Sequence, residues 1–99
     1  MGVYYKLINK VTRERIEPSR IGFGGIKLDA IVGGQTARLF THLHVTGHHD
    51  WIIVNDDCDE ELYFSEDFAD VTASAIDDYN AWHREYSLTY REDTEEGGV

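Results

Sequence analysis

Between Val71 and Tyr90 the chain carries the one pattern that leaves little choice of local structure. Stepped at about 100° per residue, Ala75, Ile76, Tyr79, Trp82, Tyr86 and Tyr90 fall within an arc of roughly 120°, the width of a core-facing helical stripe. Asp77, Asp78 and Glu85 lie outside that arc. Thr72 has the side chain of an N-cap, and Val71 before it is placed to pack on Ile76 as a hydrophobic staple. The spacing predicts an amphipathic helix over residues 72–87 that must bury one face against something else.

The rest of the chain offers strands to cover. Val3 to Ile8 is β-branched and aromatic, which favours a pleated strand. Asn9 to Thr12 reads as a turn, and Arg13 to Glu17 as the returning antiparallel strand, ended by Pro18 because proline cannot donate to a ladder. Trp51-Ile52-Ile53-Val54 reads as a buried central strand, Asn55 to Asp59 as a polar loop, and Glu61 to Phe64 as a further short strand before a loop over 65–70. Residues 26–46 admit two readings. Alternation about Gly33-Gly34 gives a hairpin. Short helices near 27–32 and 36–46, with Thr36 as N-cap, a Leu39/Phe40/Leu43 stripe and Gly47 closing the C-terminus, give the reading favoured here.

These elements add up to an α+β fold: a small antiparallel sheet of three or four strands with the C-terminal amphipathic helix packed on one face. Ninety-nine residues hold one core, so residues 1–91 are expected to form a single domain. Residues 92–99, acidic and ending in glycines, are expected to be a disordered tail.

Charge narrows the function. The net charge is −10, and it is unevenly spread: residues 1–49 carry seven basic and three acidic side chains, residues 50–99 two basic and sixteen acidic. A carboxylate surface repels phosphate, which argues against direct nucleic-acid binding. No apolar run approaches the roughly 18 residues that span a bilayer. The first residues lack the basic-then-apolar order of a signal peptide, and Lys6 stands where N-myristoylation wants Ser or Thr. The lone cysteine, Cys58, allows no internal disulfide. A cytoplasmic protein is expected.

Several patterns resemble known ones. Tyr4-Tyr5-x-Leu7-x-Asn9, Gly24-Gly25-Ile26-Lys27-Leu28, Trp51-x-Ile53-Val54-x-Asp56-Asp57, Leu62-Tyr63 and Asp70-Val71-Thr72 together resemble a group of small uncharacterised bacterial proteins. That resemblance spans most of residues 4–80 and implies one compact domain with 36–46 helical; it carries no functional residues. Thr41-His42-Leu43-His44 is similar to the start of the metallo-β-lactamase histidine motif, but Thr46 and Gly47 stand where that family has Asp and His, and the chain is too short for that fold.

Two clusters could carry chemistry. His42, His44, His48, His49 and Asp50 put four imidazoles and a carboxylate within nine residues, a ligand set suited to zinc, nickel or copper. Asp56, Asp57, Asp59, Glu60 and Glu61 form an acidic cluster, but an EF-hand loop starting at Asp57 fails at Leu62 and Phe68, where glycine and glutamate are needed. Gly22-Phe23-Gly24-Gly25 lacks the spacing of a nucleotide fingerprint. No serine sits in a nucleophile elbow, acidic neighbours raise the Cys58 thiol, and His83 reads as a packed side chain.

The expectation is a non-enzymatic acidic protein-binding module with no cofactor. Its binding surface is Asp56, Asp57, Asp59, Glu60 and Glu61 of the loop with Asp77, Asp78 and Glu85 of the helix, and its partner a basic protein. By analogy of size and charge, its class is that of small inhibitors and immunity-type proteins, among them anti-CRISPRs of phage and toxin-neutralising proteins. The alternative is a small metal-binding protein or metal-dependent enzyme using the His42–Asp50 cluster. A second copy of the chain is a further candidate partner, the basic half of one meeting the acidic half of the other.

Overall fold

The computed structural model describes residues 3–22 and 26–90. The Gly24-Gly25 turn and the acidic tail expected over 92–99 lie outside the described residues.

Strand β1 is Tyr5–Asn9 and strand β2 is Glu14–Ile16, paired antiparallel with Leu7 opposite Ile16 and Asn9 opposite Glu14. Asn9 closes the hairpin: its Oδ1 accepts the backbone N–H of Val11 at 2.9 Å and of Thr12 at 3.0 Å, a side-chain turn of the Asx type. After a 3₁₀ turn at Pro18–Arg20 the chain forms two helices, α1 over Leu28–Gly33 and α2 over Gln35–Val45. The helical reading of 26–46 therefore holds and the hairpin reading does not. Thr36, expected as the N-cap, is a buried residue inside the first turn of α2, and Gly34 holds the cap position. Gly47 ends the helix as expected. At φ +98° it takes a left-handed conformation that only glycine enters freely, and the N–H of His48 reaches the Leu43 carbonyl at 2.8 Å while that of Gly47 reaches His44 at 3.2 Å.

Strand β3, Trp51–Asn55, pairs antiparallel with β1, and β4, the two residues Ala69–Asp70, pairs with β2. The order is β3-β1-β2-β4. The expected α+β class is correct, with one difference: β4 runs parallel to β2, so the sheet is mixed. The expected central position of Trp51–Val54 is corrected. β3 is an edge strand, with Trp51 and Val54 buried but Ile52 and Ile53 at 37% and 38% exposure. An apolar run of four reads the same at an edge as in the middle, because hydropathy reports the faces of a strand and not its neighbours.

The strand expected at Glu61–Phe64 is instead a short helix, α3, over Glu60–Tyr63. Asn55 redirects the chain. Its Oδ1 accepts the N–H groups of Asp57 at 2.9 Å and Cys58 at 2.6 Å, and one helical turn follows. Helicity lets the adjacent Leu62 and Tyr63 both pack against the cluster of Ile8, Val54 and Phe68, which successive residues of a strand could not do.

The last helix, α4, runs Thr72–Trp82, five residues short of the expected end, and a 3₁₀ turn at Arg84–Tyr86 follows. Asn80 stops it from continuing. Its side-chain amide donates to the Leu88 carbonyl at 3.0 Å and accepts the Leu88 N–H at 2.7 Å, folding the chain back so that Leu88 fills the core. Trp82 and Tyr86, expected in the core stripe, are thereby left 66% and 62% exposed. Tyr90 is not helical; it bridges Ile21.

Adjacent residues of β1 divide the packing in two. Leu7 joins Ile16, Ile21, Leu39, Leu43, Trp51, Ile76, Tyr79 and Leu88 on the face covered by α2 and α4. Ile8 joins Val54 and Phe68 on the opposite face, covered by α3. Among the described residues no helix is long and apolar enough to cross a membrane.

Candidate functional site

The two layers separate the carboxylates that sequence reasoning grouped together. Asp56, Asp57, Asp59, Glu60 and Glu61 lie at the end of β3 and on α3, on one side of the sheet; Asp77, Asp78 and Glu85 lie on or after α4, on the other. They form two surfaces. Within the first, two members have structural roles: Asp56 Oδ1 accepts the Tyr4 N–H at 3.1 Å and Asp59 Oδ2 accepts the Asn55 N–H at 3.3 Å. Asp57, Glu60 and Glu61 are exposed. None of these five carboxylates meets a cation within ion-pair distance among the described residues. Beside them Phe64 ends α3 with 61% of its surface exposed, its ring set edge-on to Tyr63 at 4.9 Å between centroids.

Four of the seven cations of residues 1–49 form ion pairs that hold the fold. Glu17 accepts from Arg15 at 2.6 Å and lies 3.6 Å from Lys6 Nζ. Arg20 pairs with Asp70 at 3.4 Å, and Arg13 with Asp67 at 3.7 Å on the surface. Lys6 Nζ also donates to the Tyr63 carbonyl at 2.8 Å and sits 4.5 Å above that ring, and Arg15 donates to the Phe68 carbonyl. These contacts fasten α3 and its flanks to the sheet. Burial pushes the Tyr63 phenol above its ordinary value of 10.0, and the charges of Asp56 and Glu17 and the nearby Tyr4 add to the rise. Lys6, Arg13, Arg15 and Arg20 of the basic half thus have carboxylate partners within the chain.

The histidines do not converge. Two residues apart on α2, His42 and His44 point about 160° from each other. His44 Nε2–H donates to the Trp51 carbonyl at 2.8 Å, fixing the helix to β3. His48 Nδ1 lies 3.2 Å from the Thr46 hydroxyl, and His49 stacks edge-on at 5.8 Å from His44. Asp50 is an exposed turn residue. The set His42, His44, His48, His49 and Asp50 is thus dispersed, and among the described residues no three His, Cys, Asp or Glu side chains come together as a metal-holding group.

His42 alone is turned inward, 3% exposed, against α4. Its Nε2 lies 3.1 Å from Asp78 Oδ2 and its Nδ1 lies 3.2 Å from His83 Nε2. A carboxylate can only accept, so His42 Nε2–H donates to Asp78, and its other nitrogen, Nδ1, faces His83. Tyr79 and Trp82 meet the His42 ring edge-on at 5.1 and 5.9 Å. Beside this chain of side chains is a concavity of about 350 Å³ lined by Ala37, Arg38, Thr41, His42, Val45, Tyr79 and His83. Sequence reasoning treated Asp78 as a surface charge and His83 as packing. Their partner is 36 and 41 residues away, and no local spacing reports it.

No family model, curated protein or solved structure matches this chain.

Proposed function

We propose that this chain is a non-enzymatic protein-binding module that docks on a basic surface of a target through the acidic end around α3. The observation that carries this reading is the set Asp57, Glu60 and Glu61, exposed and without ion-pair partners among the described residues, around the exposed ring of Phe64. An aromatic anchor with a charged rim is the usual anatomy of an interface: the ring supplies affinity, the charges supply association rate and choice of partner. Around α3 the nearby cations Lys6 and Arg15 are held by Glu17 and by backbone carbonyls, so the surface left to a partner there is acidic. The finer form of the proposal is an inhibitor or immunity-type protein, whose carboxylates occupy a groove built for phosphate.

The test compares wild type with Asp57→Lys/Glu60→Lys/Glu61→Lys and with Phe64→Ala, measuring binding of the partner captured by the wild type across a salt series. Asp56 and Asp59 are left in place because they hold backbone N–H groups. Charge reversal should slow association by tenfold or more at low salt, and Phe64→Ala should speed dissociation. A partner bound equally well by all three proteins, with no salt dependence, overturns the proposal.

A further inference from the structure

We propose that His42 Nδ1 and His83 Nε2 chelate a divalent transition-metal ion of the nickel, copper or zinc class at the junction of α2 and α4. Asp78 acts there as a positioning residue. The site differs from the dispersed cluster on α2 and its following loop, since only His42 is common to both.

Three features carry the assignment. The nitrogens are 3.2 Å apart; two imidazoles each about 2.05 Å from one ion at that separation subtend roughly 100° at the metal, close to tetrahedral. The ring centroids are 5.1 Å apart, whereas a straight N–H···N bond of the same length would hold them about 5.5 Å apart. The contact is therefore bent rather than straight, which leaves room for an ion beside the N···N line. Finally, Asp78 imposes the tautomer that ligation needs. By accepting from Nε2–H it turns Nδ1 toward His83, the carboxylate–histidine–metal arrangement that orients and strengthens an imidazole ligand; the ion replaces the proton shared between Nδ1 and His83 Nε2, which passes to His83 Nδ1 or to solvent.

Two protein ligands leave coordination positions open, and both rings line the same concavity, which gives those positions access to solvent. Water or a small carboxylate can fill them; Arg38 lines that concavity and supplies a counter-charge for an anion. Imidazole donors without thiolate or a carboxylate in direct contact suit the late divalent ions, and the Irving–Williams order places copper above nickel and zinc.

The test is a titration of the untagged His48→Ala/His49→Ala variant with zinc chloride, followed by histidine-ring ¹H–¹⁵N NMR. That variant removes the exposed imidazoles that would collect metal unspecifically. Saturation at one zinc per chain is expected, with the His42 Nδ1 and His83 Nε2 signals moving and those of His44 unmoved. His83→Ala, a change at a partly exposed helix end, should abolish the stoichiometric step while circular dichroism stays native. Asp78→Ala should weaken zinc about 10- to 100-fold with the same two nitrogens still bound. His42 and His83 signals that stay fixed in tenfold excess zinc overturn the assignment, and so does undiminished one-to-one binding by His83→Ala.

Discussion

Thr72 tests the tertiary account most sharply, because sequence and structure give it different work. As an N-cap its hydroxyl would serve its own helix. In the fold it is fully buried and ties three segments together: Oγ1 accepts the Glu17 N–H at 2.8 Å and donates to Asp70 Oδ1 at 2.6 Å, and Asp70 pairs with Arg20 at 3.4 Å. Thr72→Val keeps the volume and removes both bonds. The Glu17 N–H then has no partner, which costs about 1–3 kcal/mol. Losing the short bond to Asp70 adds about 1 kcal/mol, limited because that carboxylate is partly exposed and keeps the Thr72 N–H at 3.0 Å. The expected loss is roughly 2–4 kcal/mol, a large part of the 5–15 kcal/mol typical of a whole domain. Thr72→Ser is the control; it keeps the hydroxyl and gives up one methyl, about 1 kcal/mol. In urea, with a slope of about 1.5 kcal/mol/M, the valine midpoint should fall by about 1–3 M with the slope unchanged, and the serine midpoint by less than 1 M. A valine protein as stable as the serine protein would refute the bridging role.

The other expectations are simpler. Leu39→Ala, in the core between α2 and the sheet, should cost about 2–5 kcal/mol by calorimetry, whereas Leu28→Ala at a half-exposed position should cost much less. Gly47→Ala meets no atom within 4 Å but must hold φ at +98°, so chemical denaturation should show a loss of about 1 kcal/mol arising from the backbone alone. The phenol of Tyr63 is raised above 10.0 in the folded chain. Once the pH passes 10 the unfolded chain loses this proton before the folded one does, so stability present below that pH declines as pH rises. Tyr63→Phe should flatten that alkaline limb in denaturation profiles, and an unchanged limb would contradict the raised value.

Sequence alone determined what depends on near neighbours. The β1–β2 hairpin with its asparagine turn, the glycine that ends α2 and the start of α4 rest on dihedral preference and period, whereas the local pattern over 26–46 allows both a hairpin and the two helices that form. Sequence alone also determined the acidic end of the molecule, since charge is written residue by residue. Tertiary structure decided what depends on partners far along the chain. Asn80 captures Leu88 and cuts α4 short; α3 lets Leu62 and Tyr63 both pack against the cluster of Ile8, Val54 and Phe68; β3 takes an edge because β1 and β2 hold the centre. The candidate site divides along the same line. The carboxylates were visible as a cluster, but their separation onto two faces was not, since the sheet between them joins strands more than 30 residues apart in the chain. His42, Asp78 and His83 meet only because α2 and α4 bury the same face of that sheet, and the free energy that brings them together is the burial of Leu39, Leu43, Ile76 and Tyr79, not any attraction among themselves.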